Sequence, residues 1–89
     1  MITESDKYKI LEIAKKYKAE RILLFGSSVD ESKDAQDIDI AVEGIPDLVY
    51  YKFCSELIFG LSKPVDIIDL KTKSQFNKLI ISEGIPIYG

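Results

Sequence analysis

The chain has 89 residues, of which 46% are hydrophobic, and its 12 basic and 15 acidic side chains give a formal net charge of −3. This length predicts a single domain over residues 1–89, and the acidic balance argues against direct binding of nucleic acid, which needs a basic surface. The sequence contains no histidine, which excludes histidine-based catalytic triads and histidine-containing zinc sites, so carboxylates must carry any ionic chemistry.

The cysteine content and the apolar runs indicate the cellular compartment of the protein. Cys54 is the single cysteine and cannot form a disulfide within the chain, which fits a reducing compartment. The sequence shows no signal peptide and no apolar run of membrane-spanning length. We therefore expect a cytoplasmic protein that has no membrane partner.

The first predicted elements are a helix and a short strand. The segment Thr-Glu-Ser-Asp at residues 3–6 has the spacing of a capping box, and the apolar residues after it recur at helical spacing. We predict a helix over residues 4–18, whose several lysines form a solvated face. An apolar strand over residues 21–25 ends at Gly26 and Ser27. A turn at this point offers backbone N–H groups to phosphates.

The second strand, predicted over residues 37–42, carries two acidic residues on one face. Alternation directs Asp37 and Asp39 to one side and the apolar residues between and after them to the other. Two like charges this close are unfavourable unless a cation or a proton lies between them. Mg²⁺ is usually bound by one or two carboxylates together with substrate phosphates. Asp-x-Asp alone is more often a solvated face, and Gly-Ser alone an ordinary turn, but together they predict a metal–nucleotide site.

A second helix is predicted from the turn at residues 44–47 to about residue 61. Its apolar residues form two stripes. One stripe consists of Tyr50, Phe53, Cys54, Leu57 and Leu61, and the other of Leu48, Tyr51, Ile58 and Phe59. A helix packed on one face does not need the second stripe. That stripe is therefore either enclosed by the rest of the domain or part of a contact in a homo- or hetero-oligomer.

The third strand, predicted over residues 65–70, also contains two acidic residues. Alternation places Asp66 on the face of Ile68 and places Asp69 on the opposite face. Alternation alone does not decide which of the two is a ligand. Asp69 lies near the end of the strand, where we expect a solvated or turn-forming role.

The last predicted helix covers residues 74–83 and ends at Gly84. It is expected to bury Phe76, Leu79 and Ile80 and to leave residues 85–88 as a short extended tail. The resulting order of elements, α-β-β-α-β-α, predicts an α/β (α+β) fold in which helices pack on a small mixed sheet.

The arrangement of Gly-Ser and aspartates resembles the minimal nucleotidyltransferases, the small members of the DNA polymerase beta superfamily. Those proteins carry Gly-Ser after a strand, Asp-x-Asp on a second strand and a third Asp on a later strand. Gly26 and Ser27 match the first motif, and Asp37 and Asp39 match the second. The third position falls on Asp66, the first Asp after the β-branched residue of its strand.

Two departures from the family pattern concern the triphosphate region. The spacer between Ser27 and Asp37 is one residue shorter than is usual. The Arg and Gly that many relatives carry soon after Gly-Ser are replaced here by the segment Ser-Val-Asp-Glu at residues 28–31. This replacement places an acidic pair near the expected phosphates.

The resemblance implies a nucleotidyltransferase fold that transfers a nucleoside monophosphate, AMP from ATP or the equivalent from another nucleoside triphosphate, to a hydroxyl. It implies that Asp37 and Asp39 bridge two Mg²⁺ ions and that Asp66 completes the site of the ion that activates the hydroxyl. The implied phosphate contacts are Gly26, Ser27 and Ser28.

The resemblance also implies a protein partner. Many relatives of this size act beside a HEPN-domain toxin, an RNase, as antitoxins that adenylylate it. A competing hypothesis is a catalytically weak or inactive domain that neutralises its partner by binding alone. The departures after Gly26 and Ser27 favour that hypothesis, whereas the presence of all three aspartates favours the enzyme.

Overall fold

The structure of the protein is a computed structural model that describes residues 2–29 and 36–89. Within these residues three helices and four strands follow one another, with a 3₁₀ turn after the first strand. The elements are α1 (Glu4–Lys16), β1 (Arg21–Leu24), the 3₁₀ turn (Gly26–Val29), β2 (Ile38–Glu43), α2 (Asp47–Gly60), β3 (Val65–Asp69), α3 (Gln75–Glu83) and β4 (Ile85–Tyr88). The boundaries of the predicted elements lie within two residues of these.

The four strands form one mixed sheet in the order β3-β2-β1-β4. β1 pairs antiparallel with both β2 and β4, and β2 pairs parallel with β3. The prediction of an extended tail over residues 85–88 was wrong, because this segment is the edge strand β4. The chain reverses after α3, so that Ile85 lies beside Leu24 and Tyr88 beside Ile22. The mixed α/β fold expected from the sequence is confirmed.

Helices cover both faces of the sheet. On one face α1 and α2 pack on the larger core, whose most buried members include Ile10, Ile13, Ile22, Ile40, Phe53 and Leu57. On the other face α3 contributes Ile80 to a smaller cluster with Leu23, Ala41 and Leu70. Because Asp39 lies between Ile38 and Ile40, its side chain is on the α3 face.

The start and the end of α1 are held by specific hydrogen bonds. Thr3 Oγ1 accepts a hydrogen bond from the backbone N–H of Asp6 at 3.1 Å, as the capping pattern predicted. The buried carboxylate of Asp6 accepts from the backbone N–H of Ser62 at 3.0 Å and also from its hydroxyl. At the other end the Tyr17 hydroxyl donates to Glu56 of α2. These contacts fix α1 against α2.

The prediction that α3 buries Phe76 and Leu79 was wrong. Ile80 is buried, but Phe76 is 53% exposed and Leu79 is 52% exposed. The second residue that α3 buries is polar: the Asn77 amide donates to backbone carbonyls at the end of β3 and in the turn after it, at 3.2 and 2.6 Å. A helix of nine residues can cover the sheet with one narrow stripe only. Phe76 and Leu79 lie outside that stripe and stay half-exposed.

The two apolar stripes of α2 differ completely in burial. The first packs on the sheet as predicted, with Phe53 and Leu57 fully buried and Tyr50 and Cys54 partly buried. The second faces away from the sheet and is exposed. We call it the outer stripe and define it as Leu48, Tyr51, Ser55, Ile58 and Phe59. Enclosure within the described part of the domain is therefore excluded for this stripe.

In the described part of the chain, no helix combines the length and the apolar character needed to cross a bilayer.

Candidate functional site

The centre of the candidate site is a pair of carboxylates on neighbouring strands. β2 and β3 run parallel in a register that places Asp39 directly beside Asp66. Residues paired in this way project to the same face of the sheet from strands about 4.8 Å apart. Asp39 is partly buried, whereas Asp66 is exposed at the edge strand. The structure thus brings together two of the three predicted metal ligands.

The electrostatics of the pair disfavour two negative charges. Partial burial raises the pKa of Asp39, and the charge of Asp66 and a hydrogen bond to it raise that pKa further. Asp37 adds a smaller effect in the same direction. A cation bound near these carboxylates would offset the effects of Asp66 on the pKa of Asp39. The arrangement therefore fits a cation-binding site.

The third predicted ligand, Asp37, precedes β2 and is exposed to solvent. It acts on Asp39 through its charge. Over residues 2–29 and 36–89, no group of three or more His, Cys, Asp or Glu side chains is arranged to hold a metal ion. The described residues therefore offer a carboxylate pair, which meets the ordinary requirement of Mg²⁺ for one or two carboxylates when phosphates supply further oxygens.

Asp69 lies on the other face of the sheet, as alternation predicted. Its charge acts on Tyr50 and Cys54 of α2: burial raises the pKa of the Cys54 thiol, and Asp69 adds to that increase. Asp69 Oδ1 also accepts a hydrogen bond from the backbone N–H of Lys71 at 2.9 Å, which is a turn-forming contact. Asp66, rather than Asp69, is therefore the β3 carboxylate beside Asp39.

Gly26 closely approaches the carboxylate pair. It adopts a φ of +61°, and a Cβ at this position would lie 2.7 Å from Asp39 Oδ2. A side chain would be strained by the backbone angle and would displace the carboxylate. The absence of a side chain at Gly26 therefore leaves room for the Asp39 carboxylate. Gly26 and Ser27 begin the 3₁₀ turn that was predicted to meet phosphates.

Ser28 has a different place from the one expected. Its side chain is fully buried, and its Oγ accepts a hydrogen bond from the backbone N–H of Asp39 at 2.8 Å. The backbone N–H of Ser28 donates to the carbonyl of Phe25 at 3.3 Å. Because both groups are already bonded within the protein, Ser28 positions Asp39 and does not face a ligand. This corrects its prediction as a phosphate contact, and no sequence pattern distinguishes the two roles.

An apolar groove adjoins the carboxylates, and sequence reasoning did not find it. The groove has a volume of about 290 Å³ and lies between the 3₁₀ turn and α3. Its lining residues are Phe25, Gly26, Val29, Phe76, Leu79, Ile80, Glu83 and Gly84. The rings of Phe25 and Phe76 meet edge to face with centroids 6.2 Å apart. The groove was missed because Phe76 and Leu79 were assigned to the core.

The substitution Asp39→Asn is expected to raise thermal stability at neutral pH. The pKa of Asp39 in the folded protein lies above its ordinary value of 3.8, so ionisation costs more in the folded state than in the unfolded chain. The resulting penalty is absent in acid, develops as the pH rises from the ordinary value of 3.8 to the folded pKa, and is complete above the folded pKa. The melting temperature of Asp39→Asn relative to the wild type should therefore increase from acid to neutral pH. A constant difference would contradict the pKa shift.

Comparison with known proteins identifies one matching family and several solved complexes of similar structure. The family described as "Polymerase beta, Nucleotidyltransferase" matches residues 8–89. No curated protein matches the chain. The solved structure of a toxin–antitoxin complex with AMP-PNP is similar with a TM-score of 0.74 and 26% identity, over 93% of this chain and 73% of that chain.

Two further solved structures are similar over most of this chain. A mutant MntA–HpeT toxin–antitoxin complex has a TM-score of 0.75 and 25% identity, over 100% of this chain and 74% of that chain. The tri-AMPylated HEPN toxin of Shewanella oneidensis in complex with its MNT antitoxin has a TM-score of 0.70 and 24% identity, over 94% of this chain and 70% of that chain. The likeness to the Shewanella complex shows the shared fold.

Proposed function

Since the chain belongs to the polymerase beta nucleotidyltransferase family, we propose that it transfers the nucleoside monophosphate of ATP, or of another nucleoside triphosphate, to a hydroxyl on a partner protein. The observation that carries this proposal is the placement of Asp39 and Asp66 side by side, with the backbone of Gly26 against Asp39. Phosphate-binding backbone and a carboxylate pair on one face of a sheet are what such a transfer needs.

The residues present fit Mg²⁺. Asp39 and Asp66 would hold it, and Asp37 would extend the ligand set to the two ions that the resemblance implies. The fit rests on the hard oxygen donors of the pair, and burial and the neighbouring charge of Asp66 both raise the pKa of Asp39. When bound, Mg²⁺ supplies charge neutralisation for the phosphates and lowers the pKa of the attacking hydroxyl.

The remaining steps are assigned to this chain's own groups. The turn at Gly26 and Ser27 orients the triphosphate so that the hydroxyl oxygen attacks the α-phosphorus and pyrophosphate leaves. Asp66, the exposed member of the pair, accepts the proton of the hydroxyl. Ser28 holds Asp39 in place through the hydrogen bond to its backbone.

The proposed acceptor is a HEPN-type toxin, which this chain would silence as its antitoxin. The solved complexes with AMP-PNP and with HpeT pair a chain of this fold with a toxin, at 26% and 25% identity. They support a role in a toxin–antitoxin system. An AMP group on the toxin, as in the Shewanella complex, is the product that the proposed reaction would give.

The test is to mix the purified chain with its candidate HEPN partner, ATP and Mg²⁺ and to measure the intact mass of the partner. The expected result is an added AMP mass together with loss of the partner's RNase activity. The double substitution Asp37→Asn with Asp39→Asn should abolish both. A partner that stays unmodified in the presence of the wild-type chain would overturn the proposed transfer.

A second candidate function is neutralisation of the partner by contact alone. It is favoured by one observation: within residues 2–29 and 36–89 no group of three carboxylates is arranged around a single metal position. In that case the partner would be silent but unmodified, and protection would survive the double substitution. The same mass measurement therefore separates the two candidates.

Nucleotide binding is expected to depend on Mg²⁺. ATP should bind at least about tenfold more tightly with Mg²⁺ than with a chelator present, because the carboxylate pair repels the phosphates unless a cation lies between them. Asp39→Asn should weaken the binding of Mg²⁺–ATP, whereas Asp69→Asn, on the opposite face, should leave it unchanged. Isothermal titration calorimetry measures all of these affinities. Equal affinity with and without Mg²⁺ would contradict the proposed site.

A further inference from the structure

The outer stripe of α2 exposes more apolar surface than any other element described. Leu48 is 94% exposed, Tyr51 86%, Phe59 88% and Ile58 53%. At about 100° per residue these side chains fall within one sector of the helix, directly opposite the buried stripe of Phe53 and Leu57. Contiguous apolar patches of this kind on a small domain mark sites of protein contact.

The position of the outer stripe argues against the acceptor as its occupant. α2 packs on the face of the sheet formed by Ile38 and Ile40, whereas Asp39 and Asp66 lie on the other face. A protein seated on the outside of α2 is separated from the carboxylates by a helix and by the sheet. The acceptor hydroxyl of such a protein would have to reach the carboxylates around the edge of the domain. A contact at the outer stripe therefore does not itself bring an acceptor hydroxyl to the carboxylates.

The central part of the outer stripe, from Tyr51 to Phe59, is self-complementary about Ser55. In an antiparallel pair of α2 helices that cross at Ser55, the residue four positions before the crossing meets the residue four positions after it. Tyr51 of one copy then lies against Phe59 of the other, twice by symmetry. Ser55 is small and lies at the centre of the stripe, so the two backbones can approach closely there.

The charge and the size of the stripe also fit a second copy. None of its five residues is charged, so pairing buries no charge at the centre of the contact. The stem of Lys52, at the edge of the stripe, would cover Phe59 of the second copy while its ammonium reaches water. With about 150–250 Å² for each of the two aromatic side chains and less for Leu48 and Ile58, the stripe covers roughly 600 Å² on each copy. A pair then buries about 1,200 Å², the lower end of specific interfaces.

We propose that two copies of this chain associate through α2 in an antiparallel, two-fold symmetric dimer centred on Ser55. Such an interface is isologous, since the same patch serves both copies. It leaves both carboxylate pairs on the outer sides of the dimer, open to acceptors. With an interface of this size, the dissociation constant is expected in the micromolar range.

The first test is the mass of the chain in solution, measured by sedimentation equilibrium over a range of concentrations. The mass of the wild type should rise from that of one chain to that of two as the concentration increases. Tyr51→Glu with Phe59→Glu should weaken the association at least about 30-fold, because buried aromatic anchors dominate such contacts. The matched control is Tyr8→Glu, an exposed aromatic on α1, which should dimerise like the wild type. Circular dichroism should show the same helix content for every variant.

The second test measures the orientation of the pair by disulfide formation. With helix axes about 10 Å apart at the crossing, the two Ser55 Cα atoms lie about 5 Å apart and within the reach of a disulfide, so Ser55→Cys should cross-link on mild oxidation. Leu48 lies seven residues from the crossing in each copy, so the two Leu48 positions are about 21 Å apart and Leu48→Cys should not cross-link. The wild type, with Cys54 alone, provides the background.

Three results would overturn the proposal. The first is a single-chain mass for the wild type at all concentrations up to the limit of solubility. The second is cross-linking of Leu48→Cys as readily as of Ser55→Cys, which would show another arrangement. The third is an unchanged dimer in the double glutamate variant, which would place the contact elsewhere. Wild-type dimerisation, its loss in that variant and selective cross-linking of Ser55→Cys together establish it.

Discussion

Asp39→Asn with Asp66→Asn should reduce the rate of nucleotide transfer at least about a thousandfold, which is the effect of removing groups that stabilise transition-state charge. The two carboxylates are neighbours in register and interact electrostatically. They are expected to act as one unit, so either single substitution should lower the rate nearly as much as the double substitution. The rate of AMP incorporation into the acceptor, followed by intact mass, measures this effect.

The matched control for this prediction is Asp69→Asn. Asp69 is on the same strand as Asp66 and carries the same charge, but it lies on the other face of the sheet. Its substitution removes the same formal charge without touching the pair, and transfer should continue at the wild-type rate. Loss of transfer in Asp69→Asn, or additive effects of the two single substitutions at the pair, would contradict the assignment.

Phe53→Ala is expected to destabilise the fold by about 3–5 kcal/mol, the usual cost of removing a buried aromatic ring. Phe53 is fully buried in the larger core, and its ring meets that of Tyr17 edge to face with centroids 5.8 Å apart. Since small domains have a total stability of about 5–15 kcal/mol, this change removes a large part of it. The melting temperature should fall by at least about 12 °C.

Urea denaturation followed by circular dichroism measures the loss of stability in Phe53→Ala. The control is Tyr8→Ala, which removes an aromatic ring that is 70% exposed on α1 and should change stability by no more than about 0.5 kcal/mol. A similar midpoint for Phe53→Ala and the wild type would mean that α2 does not pack on the sheet through this residue.

Much of the fold could be predicted because its signals are local. The capping pattern at Thr3, the turn at Gly26 and the alternation around Asp39 each depend on residues a few positions apart. Alternation also placed Asp66 and Asp69 on opposite faces of β3. In the structure Asp66 interacts with Asp39, whereas Asp69 accepts a hydrogen bond from the backbone of Lys71. The two stripes of α2 were separable in the same way, from helical spacing alone.

The errors all concern contacts between distant parts of the chain. β4 carries no strand signal of its own beyond four extended residues, and it becomes a strand only because β1 presents an unpaired edge to it. α3 was expected to bury its apolar residues, but the amide of Asn77 determines which side faces the sheet. Ser28 was read as a ligand contact, but β2 places the Asp39 backbone N–H above its hydroxyl.

The amino-acid sequence by itself determined the family, the helices and three of the four strands, and it supplied the acidic residues that we propose for the site, because periodicity and motif spacing are properties of neighbouring residues. The tertiary structure alone decided that Asp39 and Asp66 lie side by side, that Gly26 approaches the carboxylate of Asp39 and that the outer stripe of α2 stays exposed. Strand register, close backbone approach and burial depend on which distant segments meet. They arise from the packing of the whole chain, which no local pattern encodes.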